Sequence, residues 1–266
     1  VAGKHFSTKL VSVFLENKKK GQPAIYGTVI LNDGETGKPI AMIDGSMLTG
    51  LRTGAVGGLG VAYTTPKNIS VLGLIGAGFQ GFHQVLFACT VRNIKTVNIF
   101  DPFNKNLGKF VDDLRKYLPH IEFNISGSSR ELVADSEAII TATTSETPIM
   151  PDDSQLLEGK HFIGLGSFKP EMREYPDELF KLINEVVLDT DLASKESGDI
   201  RIPLKDNLIN ENQLLRLGQL MNNEKKIDLN STTLFKSVGM ALFDLLAAEK
   251  IVEKAIQKGV GTKVEF

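Results

Sequence analysis

The chain has 266 residues, of which 42% are hydrophobic and 23% charged, and its formal net charge is −2. That length holds one large or two modest domains, and the composition is that of a soluble globular protein. Nothing in the charge balance recruits nucleic acid or an anionic membrane, no apolar run reaches membrane-span length, and a single cysteine, Cys89, excludes an internal disulfide framework and fits a reducing, cytoplasmic setting.

The first residue is Val1, not Met, and no signal peptide opens the chain. Residues 4–31 then read as strands, one over 9–14 and one over 25–31. The polar run between them, with Lys18, Lys19 and Lys20, reads as a solvated loop. Asn32, Asp33, Gly34 and Gly37 mark a hairpin turn, and residues 40–43 return as a third strand. An antiparallel meander is expected. Residues 48–63 keep helical apolar spacing, with Thr49 as the candidate N-cap. Gly54, Gly57, Gly58 and Gly60 each cost that helix about 0.5–1 kcal/mol relative to alanine. Such a load implies a close approach, either by another helix or by a ligand near Arg52 and Thr53. Pro66 ends the helix.

The run Val71-Leu72-Gly73-Leu74-Ile75 is a candidate buried parallel strand, and Gly76-Ala77-Gly78-Phe79-Gln80-Gly81 follows it at once. Helical spacing resumes through Val85, Leu86 and Cys89. In a dinucleotide fingerprint Gly76 makes the tight turn, Gly78 admits a pyrophosphate and Gly81 lets the helix pack on the strand. The helix N-terminus supplies N–H donors and a positive dipole end. Asp101, after the apolar run 97–100, is the acid expected on the ribose, which favours NAD over NADP. Further strands are expected at 121–125, 138–143, 161–166 and 186–188, alternating with helices. Ser128 and Glu131 suggest a capping box. The alternation predicts an α/β fold with a doubly wound parallel (Rossmann) sheet, its ligand at the carboxyl ends of the strands. Residues 233–258 read as one long helix, interrupted at Gly239, that packs back on the N-terminal strands. The four histidines, His5, His83, His120 and His161, lack ligand spacing, so no metal is expected.

Five ordered motifs carry a resemblance. They are Thr8-Lys9-Leu10-Val11, Leu51-Arg52-Thr53-Gly54-Ala55-Val56, the glycine loop from Gly76 to Gln80, Lys195-Glu196-Ser197-Gly198-Asp199, and Phe235-Lys236-Ser237-Val238-Gly239-Met240-Ala241 with Asp244, Ala247 and Ala248 behind it. In these the chain resembles the ornithine cyclodeaminase/mu-crystallin family over nearly its whole length. The resemblance implies that Lys9 and Arg52 are catalytic and bind the substrate, Arg52 through its carboxylate, with Val238 at the substrate pocket. It places Thr28, Thr53, Gly76, Gly78, Phe79, Gln80, Gly81, Asp101, Thr143, Gly166, Ser167 and Ser237 at the dinucleotide. It implies a Rossmann domain over 66–230 and a smaller α+β substrate and dimerisation domain over 1–65 and 231–266, hence a homodimer with a small amino- or imino-acid substrate.

Two departures bear on the reaction. The family segment ahead of the lysine motif, which supplies a further arginine and a glutamate, is missing, so either the start is truncated or the first pocket wall is absent. Ser167 stands where cyclodeaminases carry an aspartate, the natural general base for attack on an intermediate imine. Glu171 and Glu174 are nearby acids, and Glu174 is expected to pair with Arg173 or cap the next helix. A lysine, a carboxylate-binding arginine and NAD suffice for one hydride step, of ketimine-reductase or amino-acid-dehydrogenase type. An ornithine cyclodeaminase, a lyase yielding proline and ammonia, and a dinucleotide-regulated binding protein of mu-crystallin type are the alternatives.

Overall fold

The computed structural model describes residues 4–23 and 25–264. Val1 lies outside them, as do the side chains of Lys18 and Lys19. The described chain divides into two compact units, one built from residues up to Arg52 and from Met240 onward, the other from Thr53 to Gly239.

The first unit opens with β1 (His5–Val13), β2 (Ile25–Asp33) and β3 (Pro39–Asp44). They form the expected antiparallel meander in the order β1-β2-β3, with Lys9 opposite Val29 and Val29 opposite Ile43. A 3₁₀ turn over Leu15–Lys20 fills the first connection. Helix α1 (Gly45–Thr64) follows directly. Its cap is Asp44, not Thr49: Ser46 N and Met47 N donate to Asp44 Oδ1 at 2.8 and 3.1 Å. The earlier carboxylate satisfies the orphan amides. From Thr53 onward α1 belongs to the second unit.

The second unit alternates strand and helix. Its first part is β4 (Val71–Ile75), α2 (Phe79–Val91), β5 (Thr96–Phe100), α3 (Leu107–Arg115), β6 (Glu122–Ile125), α4 (Ser129–Ala134) and β7 (Ala138–Thr141). It continues through α5 (Ser154–Leu157), β8 (His161–Gly164), α6 (Asp177–Leu182), β9 (Val186–Leu188), α7 (Ala193–Glu196), α8 (Gly198–Lys205), β10 (Leu214–Arg216), α9 (Leu217–Met221) and β11 (Thr233–Lys236). Among the described residues these strands make one parallel sheet in the order β10-β9-β11-β8-β7-β4-β5-β6. The order reverses on either side of β4, which is the doubly wound arrangement. Leu72, Leu74, Val97, Ile99, Ile139, Ile140, Phe162 and Phe235 are fully buried, as strands covered on both faces require.

One reading is corrected here. Residues 233–236 are strand, not helix; β11 pairs with β8 and β9, and α10 (Ala241–Lys258) starts only after Gly239, whose φ is +83°. The two compact units divide in sequence at 52/53 and 239/240. The glycines of α1 admit protein: a side chain at Gly54 would collide with Phe87, at Gly57 with Gln84 and at Gly60 with Phe235, and one at Gly58 would press tightly on Phe87. Of the two approaches foreseen, the packing of another helix, α2, accounts for Gly54, Gly57 and Gly58, while Gly60 makes room for Phe235 of β11.

Helix α10 returns to the first unit as expected. Leu245 and Ala248 join Val29, Leu31 and Leu48 in its core. Among the described residues, no helix is long and apolar enough to cross a membrane.

Candidate active site

In the second unit, Gly76 and Gly81 perform the tasks read from their spacing. Gly76 has φ +102°, which an L side chain rarely adopts. A side chain at Gly81 would collide with the Gly76 carbonyl oxygen, so only glycine lets α2 start this close to β4. At Gly78, by contrast, no described protein atom lies within 4 Å of where a Cβ would sit. Backbone there is open to a pyrophosphate, at the N-terminus of a 13-residue helix with no side-chain cap. Phe79 is half exposed beside it. Gln80 Oε1 and Thr53 Oγ1 are buried without a hydrogen-bond partner, and Gln84 Nε2 ties Thr53 O to α2 at 2.9 Å. These features fit a dinucleotide.

Asp101 follows β5 and is more committed than the sequence suggests. Its Oδ1 accepts from Phe103 N at 2.9 Å and Asn104 N at 3.1 Å, and its Oδ2 accepts from Ala77 N at 2.9 Å. Oδ2 thus carries one donor against two on Oδ1. Asp101 builds the turn against the glycine loop.

At the carboxyl ends of β7, β8 and β11 the side chains turn inward. Glu174 is fully buried and accepts five hydrogen bonds. Thr143 N and Oγ1 donate to its Oε1, both at 2.8 Å. Thr141 Oγ1, Gly166 N and Ser167 N donate to its Oε2 at 2.9, 2.9 and 3.2 Å. Burial pushes its carboxyl up, against the pull of Lys236. Lys236 Nζ donates to Asp199 Oδ2 at 2.9 Å and lies 3.8 Å from Glu174 Oε2; all three residues are 0% exposed. Asp199 Oδ1 accepts from Glu174 N and Tyr175 N. Glu174 thus neither pairs with Arg173, which binds Asp177, nor caps a helix. Ser167 is equally enclosed: its Oγ donates to Met172 O at 2.7 Å and meets Ser197 Oγ at 2.8 Å. With their amides on Glu174 and the Ser167 hydroxyl spent inside, Gly166 and Ser167 offer a ligand none of these donors; the Thr143 donors are likewise taken. Ser237 Oγ donates to Asp189 Oδ2 at 2.7 Å, and Gly239 N donates to the same oxygen at 2.8 Å. Val238 is half-buried against the main core.

The first unit gathers a different cluster. Lys9, on β1, reaches Thr49 Oγ1 of α1 at 2.6 Å and Asp244 Oδ1 of α10 at 2.9 Å. Arg52 Nε lies 3.4 Å from that same Asp244 oxygen, an ion-pair contact without a hydrogen bond. The side chains are 20%, 14% and 9% exposed for Lys9, Arg52 and Asp244. Asp244 sits in the first turn of α10, where the helix dipole favours a carboxylate. Thr28 faces the other side of the meander, since it opposes Leu10 rather than Lys9. Sequence reasoning quoted Asp244 only as the end of a motif and missed the Glu174–Asp199–Lys236 group. Lysine in the apolar run Thr233-Leu234-Phe235-Lys236 was the signal for a buried partner.

The ornithine cyclodeaminase/mu-crystallin family model matches residues 2–259. A Δ1-pyrroline-2-carboxylate reductase of Bacillus thuringiensis is 35% identical over 264 residues, covering 97% of this chain and 80% of the relative. The Thermococcus litoralis Δ1-pyrroline-2-carboxylate reductase, solved with NADH and L-proline, is 36% identical with a TM-score of 0.89, covering 97% of this chain and 80% of that one. An archaeal alanine dehydrogenase dimer with bound NAD is 29% identical with a TM-score of 0.87, covering 99% of this chain and 81% of that one. Five motifs in order, the doubly wound sheet with its open glycine loop, and a family match over almost the full length agree: the chain belongs to the ornithine cyclodeaminase/mu-crystallin family.

Proposed function

We propose that the protein is an NADH-dependent reductase of a small cyclic α-imino acid of the Δ1-pyrroline-2-carboxylate type. The observation that carries this reading is the Lys9–Arg52–Asp244 cluster. Two cations and one carboxylate leave a net positive charge in a largely desolvated place, which suits one substrate carboxylate. Arg52 meets Asp244 through Nε, so its Nη groups are the fork for that carboxylate. Lys9 donates a hydrogen bond or a proton at the imine nitrogen. The glycine loop would hold NADH, which would supply the hydride for imine reduction. Carbon gains the hydride and nitrogen the proton, giving a secondary α-amino acid and NAD⁺. Gly76, Gly78, Phe79, Gln80, Gly81, Asp101 and Thr53 are the proposed dinucleotide contacts.

The enclosed state of Ser167 and Glu174 speaks against the lyase reading. Cyclodeamination needs a base for the attacking nitrogen, and Glu174, with five donors on it, is not free to swing. A second copy of the chain is the proposed partner. The meander face bearing Leu10, Tyr26 and Met42 is exposed, Met42 by 76%, and the archaeal alanine dehydrogenase relative is a dimer. A cytoplasmic location goes with the same reading.

The test is a screen of cyclic imino acids and ornithine, following the absorbance of reduced nicotinamide and released ammonia. Stoichiometric NADH consumption with a cyclic imino acid supports the proposal. Ammonia and proline from ornithine without net change in NADH would install the lyase.

A further inference from the structure

Lys9 has three ammonium protons, and two of them are spoken for. The acceptor Thr49 Oγ1 gives its own single proton to Gly45 O at 2.5 Å. It therefore meets Lys9 only as an acceptor, and the direction of that bond is fixed. The second proton goes to Asp244 Oδ1. The same oxygen holds the inner edge of Arg52. Both supports come from helices, Thr49 from α1 and Asp244 from α10, and α10 is seated on the meander through Leu245 and Ala248. A long, rotamer-rich lysine is thereby reduced to one geometry with one N–H unspent.

We infer that Asp244 and Thr49 are positioning residues that aim the remaining N–H of Lys9 and the outer edge of Arg52 at the substrate. This rests on the reductase reading above and deepens it. Asp244 acts on both cations, Thr49 on Lys9 alone. The two substitutions should consequently leave different kinetic signatures. Thr49→Val removes an acceptor from Lys9 and leaves Arg52 held, so kcat falls and KM does not change. Asp244→Asn loosens both, so kcat falls and KM for the imino acid rises.

The experiment is steady-state reduction of Δ1-pyrroline-2-carboxylate with NADH, with turnover expressed per NADH-binding site so that unfolded protein is not counted. For Asp244→Asn the expected result is a loss of about 10²-fold in kcat with a raised KM, partly restored in Asp244→Glu, which keeps the charge. For Thr49→Val it is a loss of about tenfold in kcat at constant KM. Wild-type kinetics in Asp244→Asn, or an Asp244→Glu no better than Asp244→Asn, would overturn the inference. A second readout is independent of turnover: the ¹⁵N ammonium resonance of Lys9, identified by its loss in Lys9→Met. The wild type should show a slowly exchanging signal that Asp244→Asn abolishes. Absence of that signal in the wild type overturns the positioning role even where reduction is observed. A protected signal in a protein that reduces no imino acid refutes the reductase reading instead.

Discussion

Two ionic clusters among the described residues have mirrored composition, two acids with one lysine against two cations with one acid, and opposite character. Glu174, Asp199 and Lys236 in the second unit are 0% exposed, and Glu174 alone accepts five hydrogen bonds. Lys9, Arg52 and Asp244 in the first unit are partly exposed, and one lysine proton and the arginine fork are unspent. Saturated valence holds loops in place; unspent valence in a partly desolvated site is what a substrate can use. Burial and charge alone would have ranked the Glu174 cluster as the functional one.

The sharpest way to break this contrast is to remove the lysine from each. Lys9→Met should lower imino-acid reduction by about 10²–10⁴-fold, with the unfolding midpoint and NADH stoichiometry unchanged. Unchanged kcat would make Lys9 a mere edge residue. Lys236→Met should do the converse. It leaves two buried carboxylates uncompensated, at a cost of about 3–5 kcal/mol in urea unfolding. A variant as stable as the wild type would show that the buried group is not held by its charges.

Ser167→Asp sharpens the same point. By analogy with the cyclodeaminases it should supply a base; in this structure it forces a carboxylate against Met172 O, on the order of 3 kcal/mol destabilising, and gains no conversion of ornithine. Proline formation from ornithine by that variant would contradict the enclosed state of the position.

Strand ends that depend on neutral, buried groups also respond to pH. His161 on β8 donates through Nδ1 to Thr233 Oγ1 at 3.0 Å, because that hydroxyl gives its proton to Thr64 O. Burial pushes its pKa from 6.5 down to about 4. The unfolded chain then binds the extra proton first, so stability is intact above pH 6.5 and falls between 6.5 and 4, by up to about 3 kcal/mol. His161→Gln should flatten that part of the pH profile of unfolding; an unaltered slope would assign it elsewhere.

Much of this fold was legible because buried parallel strands are short apolar runs bounded by turns, as at Val71–Ile75 and Ala138–Thr141. Strand β10 was not, since three residues carry no period. Strand β11 was hidden because four apolar-rich residues running into α10 satisfy helical spacing as well. The glycine loop was readable in full, being local. Lys9 and Arg52 came through the family resemblance, since a lysine on a strand face is also an ordinary edge residue. Asp244 lies 235 residues from Lys9 and Lys236 lies 37 from Asp199, so neither pairing leaves any trace in local pattern.

The most direct measurement of the central claim uses NADH deuterated at the transferable position, mixed with Δ1-pyrroline-2-carboxylate and the wild-type protein. The account predicts one deuteron on the α-carbon of the proline formed for every NADH consumed. No transfer to that substrate, with proline and ammonia arising from ornithine at constant NADH, would contradict it.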